Sequence, residues 1–120
     1  MERGGGGKFT DSEVQAYKQD VKNIMIRMGL LSGEEIHTVQ QKNVTRAEYL
    51  EAETDGLWYP VFSAGDTFAG GEVLGTVRDI WGNLLREYRA DYPGIVLYQT
   101  VSLGVKAGDP LIAYGEYVDR

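Results

Sequence analysis

Apolar residues recur at Val14, Tyr17, Val21, Ile24 and Met28, in steps of three and four that gather them on one helical face. Just upstream, Thr10-Asp11-Ser12-Glu13 has the form of a capping box. The Thr10 hydroxyl can take the Glu13 amide while the Glu13 carboxylate reaches back to the Thr10 amide. Gly29 stands where a left-handed residue would close the helix. The spacing therefore predicts one amphipathic helix between Thr10 and Gly29, with its stripe docked on a core.

Beyond Leu30 the helical period is lost. Ser32-Gly33-Glu34-Glu35 reads as a polar turn, and residues 36–44 as an irregular strand. Short β-prone runs follow at residues 49–53, 57–62, 73–77, 95–101 and 111–114, separated by turn signals rich in Gly and Asp.

Parts of this β region occur twice. Ala52-Glu53-Thr54-Asp55-Gly56-Leu57-Trp58 is echoed by Ala90-Asp91-Tyr92-Pro93-Gly94-Ile95-Val96. Phe68-Ala69-Gly70-Gly71-Glu72-Val73-Leu74 is echoed by Val105-Lys106-Ala107-Gly108-Asp109-Pro110-Leu111, with a spacing that differs by one residue between copies. One such hairpin cannot bury its apolar face alone, whereas two related by a pseudo-twofold can close on a shared core. The Gly before each acid permits a left-handed step, and the carboxylate can accept amides freed inside the turn. Asp66, Glu72 and Asp109 are thus assigned to turn structure.

Composition sharpens the picture. With 120 residues, 42% of them apolar, the chain fills one modest core, and 16 Gly against three Pro suit a turn-rich β fold. A formal charge of −6 opposes phosphate binding, so no nucleic-acid partner is expected. No apolar run approaches the ~20 residues of a membrane helix, so no membrane partner is expected either. The absence of Cys excludes disulfides and thiolate metal sites and suits a cytoplasmic protein.

Local chemistry is sparse. The single His, His37, lies near Glu34 in a turn-like stretch, where a solvated surface is the simpler reading than a metal site. No nucleophile motif accompanies it. Gly4-Gly5-Gly6-Gly7-Lys8 is followed by Phe9, which breaks the phosphate-loop pattern. No metal or cofactor is expected to be held by this chain.

Paired hairpins with Gly-acid turns resemble the barrel-sandwich fold of biotinyl and lipoyl carrier domains. The connection Arg78-Asp79-Ile80-Trp81-Gly82-Asn83 has no Lys to modify, however. A wider resemblance runs through Gly56-Leu57-Trp58-Tyr59-Pro60, Gly65-Asp66, Gly75, Asp79-Ile80-Trp81-Gly82-Asn83, Ala90, Gly94-Ile95-Val96 and Gly108-Asp109-Pro110-Leu111. In order along the chain these are similar to the C-terminal segment of the succinylglutamate desuccinylase and aspartoacylase family of zinc-dependent deacylases. Met28-Gly29-Leu30-Leu31 resembles the end of the helix that precedes the barrel there.

The resemblance implies an α+β, mainly β fold: an N-terminal amphipathic helix, then a small barrel-sandwich hybrid of two pseudo-repeated hairpin units. It implies a Gly-rich loop at 1–9 that closes a preceding catalytic domain, a helix and connecting segment at 10–46, and the β domain at 47–120. Glu2, followed by glycines, takes the place of the family's general base. Zinc is expected in the full-length protein, held by the catalytic domain, which is this segment's implied partner. The implied substrate is a small N-acylated amino acid or similar amine. Trp81, Trp58 and Tyr59 are candidates for the wall of its pocket, and homo-oligomer formation is compatible with the pattern. The alternative from a different class is a stand-alone β-barrel binding module without catalytic activity.

Overall fold

The structure, a computed structural model, describes residues 7–37 and 42–119, and divides into two compact units, residues 1–39 and 40–120. In the first, α1 spans Asp11–Arg27. Thr10 caps it as the sequence predicts: its hydroxyl accepts from the Glu13 amide at 3.3 Å, and the Glu13 carboxylate accepts from the Thr10 amide at 2.6 Å. At the other end Gly29 adopts φ +72°. The Gly29 amide donates to the Ile26 carbonyl and the Leu30 amide to that of Met25, both at 2.9 Å, which completes a Schellman motif. Asn23 ties the following segment down, exchanging hydrogen bonds with the Ile36 backbone at 2.6 and 3.0 Å. No residue of α1 is buried; Val21 and Ile24 are about half exposed, so the expected docking of the stripe on a core does not occur within this unit. So few residues enclose too little volume to cover an apolar helix face.

The second unit holds eight strands: β1 (Lys42–Glu51), β2 (Gly56–Pro60), β3 (Thr67–Phe68), β4 (Val73–Arg78), β5 (Leu84–Arg89), β6 (Gly94–Gln99), β7 (Gly104–Val105) and β8 (Pro110–Asp119). They form two antiparallel sheets, ordered β1-β8-β6-β3 and β5-β4-β2-β7. Replacing β1 to β4 by β5 to β8, and the reverse, turns one order into the other, which is the pseudo-twofold that the repeat requires. The sheet begins at Lys42, ahead of the boundary read at 46/47. A single cluster of buried side chains draws on both sheets, with Trp58, Leu74, Val77 and Tyr88 from one and Phe68, Val96, Leu111 and Tyr114 from the other. Rings within it meet edge-on, Trp58 with Tyr88 at 5.8 Å and Phe68 with Tyr114 at 5.5 Å between centroids.

The three assigned acids do what their turns need. Asp66, Glu72 and Asp109 accept from the amides of Ser63, Ala69 and Lys106 at 2.8, 2.6 and 2.8 Å. Each acid's own amide donates back to the carbonyl of that same residue. The Gly before the acid sits at φ +92°, +84° and +89° in the three turns, a region closed to most side chains.

The repeated Ala has a matching role. Ala52 exchanges two hydrogen bonds of 2.8 Å with the Gly108–Asp109 turn, and Ala90 exchanges bonds of 2.8 and 3.0 Å with Gly71–Glu72. Each copy is thereby clasped to the turn of the other. The spacing mismatch between copies has a local origin: β6 carries a bulge between Val96 and Tyr98 that β2 lacks, while the connection from β2 to β3 accommodates an additional turn at Ser63–Asp66.

Gly75 shows how tightly the core is filled. A Cβ built there would lie 2.2 Å from the six-membered ring of Trp58, which is buried and cannot swing away. Gly75→Ala is therefore expected to lose about 1–3 kcal/mol through overpacking, seen as a fall in Tm of roughly 5–20 °C. Gly104→Ala, where a Cβ meets nothing within 4 Å, serves as control and should leave Tm nearly unchanged.

Candidate functional site

Five residues, Asp79 to Asn83, join β4 to β5. Asp79 opens this loop and organises it. Its Oδ1 accepts from the amides of Trp81 at 2.8 Å and Asn83 at 2.9 Å, and its Oδ2 from the Asn83 side-chain amide at 2.8 Å. The Asp79 amide donates to the Asn83 carbonyl, and the Gly82 amide to the Asp79 carbonyl, each at 3.0 Å. Gly82 takes φ +86°, which reverses the chain. Arg78 braces the same loop from the strand, donating from Nη1 to the Gly82 carbonyl at 2.9 Å and from Nε to the Thr76 hydroxyl at 3.2 Å.

With its polar groups turned inward on Asp79, the loop has only apolar side chains to show at its crest. Ile80 is 76% and Trp81 80% exposed. Donation from the Asn83 side chain, helped by the backbone amides, holds the Asp79 carboxyl below its usual value of 3.8.

The pleat separates the aromatics that the sequence grouped as pocket-wall candidates. Trp58 and Tyr59 are consecutive in β2 and so face opposite ways. Trp58 is sealed in the core at 2% exposure, whereas Tyr59 lies 44% exposed on the outer face of the sheet, opposite Thr76. Leu57 shares that face and stands opposite Arg78, which ties it to the loop. Trp81 and Tyr59 are therefore surface groups, and Trp58 is a core residue. Arg78 and Asp79 carry the local geometry, although the sequence reading gave neither a role. The signal was present, in an Asp followed by Gly three and Asn four positions on.

Glu2 lies outside the described residues. His37 meets Glu35, not Glu34: its Nε2 is 2.9 Å from the Glu35 carboxylate, which Arg27 also approaches at 3.7 Å. Among the described residues no three His, Cys, Asp or Glu side chains converge as metal ligands need to. The donors among the described residues do not fit a hydrolytic zinc centre. A hollow of about 640 Å³ opens on the other sheet beside Glu72 and Glu116, but the Glu72 carboxylate is already engaged by the Ala69 amide. The described residues include no helix long and apolar enough to cross a membrane.

No family model matches the chain. Individual proteins do. The N-alpha-acetyl-L-2,4-diaminobutyric acid deacetylase of Halomonas elongata is 27% identical over 124 aligned positions, which take in 98% of this chain and 36% of the deacetylase. The ectoine utilization protein EutE (DoeB) of Ruegeria pomeroyi, solved with product bound, superposes with a TM-score of 0.78 at 29% identity, over 94% of this chain and 36% of its own. A succinylglutamate desuccinylase from a Silicibacter species gives a TM-score of 0.80 at 26% identity, over 96% and 36%. The chain thus spans about a third of the length of the proteins it matches.

The depressed Asp79 carboxyl sets a pH window for the loop. Its folded pKa lies below its unfolded one, so the contribution to loop order is present above pH 3.8 and is lost as pH falls through the depressed value. A carbon-detected titration should place the Asp79 midpoint below 3.8, with the Trp81 and Asn83 amide resonances shifting in step. A midpoint at or above that value would contradict the hydrogen bonding described.

Proposed function

Because the chain is related to the succinylglutamate desuccinylase/aspartoacylase family and spans about a third of the length of the members it matches, we propose that it is the C-terminal portion of a zinc-dependent deacylase, the last loop of the catalytic domain followed by a non-catalytic β domain. In that reading the intact protein hydrolyses an N-acyl bond on an amino acid or similar small amine. The names of the relatives, a deacetylase and a desuccinylase, support this reaction class and leave the acyl group open.

One observation carries the division of labour: the β unit closes its own core while the described residues gather no set of metal ligands. Zinc would be held by the remaining two-thirds of such a protein, where it would activate a water for attack on the acyl carbon. This segment's part is to shape or cover the entrance. Trp81, held out on its loop, is the side chain best placed to meet a substrate or the neighbouring domain, since a rigid aromatic gives large contact area at low entropic cost. Glu2, by the family resemblance, is the general base.

Assays of the full-length protein and of the 120-residue chain on N-acetyl-2,4-diaminobutyrate and N-succinylglutamate test the reading. The full-length protein should hydrolyse one of them, lose activity to a chelator and regain it with zinc; the 120-residue chain should be inactive. Hydrolysis by the short chain alone would sink the proposal, and an inactive full-length protein would return the fold to a stand-alone binding module without catalytic activity.

Two substitutions in the full-length protein refine it. Glu2→Gln should lower kcat by about 10²–10⁴-fold, the usual weight of a general base. Trp81→Ala should raise KM or lower kcat while Tm stays unchanged, because an indole 80% exposed contributes little to the core. Unaltered kinetics in Trp81→Ala would end the substrate-facing role.

A further inference from the structure

Asp66, Glu72 and Asp109 each accept from one backbone amide, that of the residue three positions back. Asp79 differs in what it supports. Its three accepted hydrogen bonds converge on Trp81 and Asn83, and the residue held between them and solvent is an indole. Left to itself, a five-residue hairpin loop with an apolar crest would fold its Ile and Trp down against the nearest apolar surface. Here the Trp81 amide is fixed to the Asp79 carboxylate, Gly82 is locked in the left-handed region, and Arg78 pins the Gly82 carbonyl. These restraints come from both sides of the loop, and together they leave the indole standing clear.

Holding an apolar side chain out in water costs free energy in the isolated segment. The same restraint removes the backbone part of the ordering cost when the indole meets a partner surface, which is the usual gain from preorganisation. We propose that Asp79 is a positioning residue that acts through Trp81, setting the loop so that the backbone carrying the indole enters the contact already ordered. The inference rests on the reading of Trp81 as a group that meets substrate or the wall of the active-site entrance. Both Asp79 carboxylate oxygens are engaged within the loop.

The test has two arms that fail separately. In the 120-residue chain, hydrogen exchange at the Trp81 and Asn83 amides is measured for wild type, Asp79→Ala and Asp79→Asn. Asp79→Ala should speed both by about tenfold or more, with exchange at the Val77 and Tyr88 amides and Tm unchanged. Asp79→Asn, which keeps an oxygen acceptor for the two amides, should restore most of the protection. Equal exchange in wild type and Asp79→Ala would overturn the proposal. Should Asp79→Ala fold poorly, Asn83→Ala removes only the side-chain donor and should give a smaller change in the same direction.

In the full-length protein, kcat and KM are measured for Asp79→Ala, Trp81→Ala and the double variant. Asp79→Ala should reproduce the KM or kcat change of Trp81→Ala, and the double variant should be no worse than Trp81→Ala alone. A further loss on adding Asp79→Ala to Trp81→Ala would show that Asp79 acts by another route, and would overturn the proposal. Unaltered kinetics in Trp81→Ala beside faster exchange in Asp79→Ala would instead remove the substrate-facing role of Trp81, while the control of the loop by Asp79 would stand.

Discussion

Two alanines hold the β domain to itself. Ala52 and Ala90 are both nearly fully buried, and each gives its amide and carbonyl to the Gly-acid turn of the opposite copy. Neither copy makes this bond with its own turn. The strands follow the same rule: β3 of the first copy pairs with β6 of the second, and β7 of the second pairs with β2 of the first. A half of the domain would therefore lose both its clasp and two of the four strands in each sheet. Cooperative closure follows, because the entropy of ordering one half is recovered only when the other is in place.

That closure uses up the polar chemistry of the turns. Asp66, Glu72 and Asp109 each accept a backbone amide at their own turn. The phenols behave alike: the Tyr88 and Tyr114 hydroxyls accept from the Glu53 and Asp91 amides, the residues that follow the two clasping alanines. Burial pushes the Tyr114 phenol up, so it stays neutral. These three carboxylates and two phenols are thus engaged in structure. Among the described residues the domain leaves apolar side chains exposed at Tyr49, Val61, Ile80, Trp81 and Val101.

How much of this was legible in the sequence depends on the scale of the signal. The helix was read nearly to the residue because its capping box and Gly29 act within a few positions. The Gly-acid turns were equally clear, since φ beyond +80° and a carboxylate three residues from its amide leave a local imprint. β5 went unread. Of Leu84-Leu85-Arg86-Glu87-Tyr88-Arg89 only Tyr88 is buried, so no alternation marks the strand. β3 and β7 are two residues long and owe their existence to the opposite copy. The start of β1 was equally obscure, because five exposed residues at its beginning give no period to read.

The site divides along the same line. Trp58, Tyr59 and Trp81 look equivalent as residue types, and only the pleat decides that Trp58 is core and Tyr59 surface. The distinction between Tyr59 and Trp81 is subtler and matters more for function. Tyr59 lies on a strand face, where any flat partner could cover it. Trp81 is carried beyond the end of β4 on a loop whose Asp79 carboxylate and Asn83 side-chain amide are engaged within it. An apolar contact built there would fall to the indole and to Ile80, each more than three-quarters exposed.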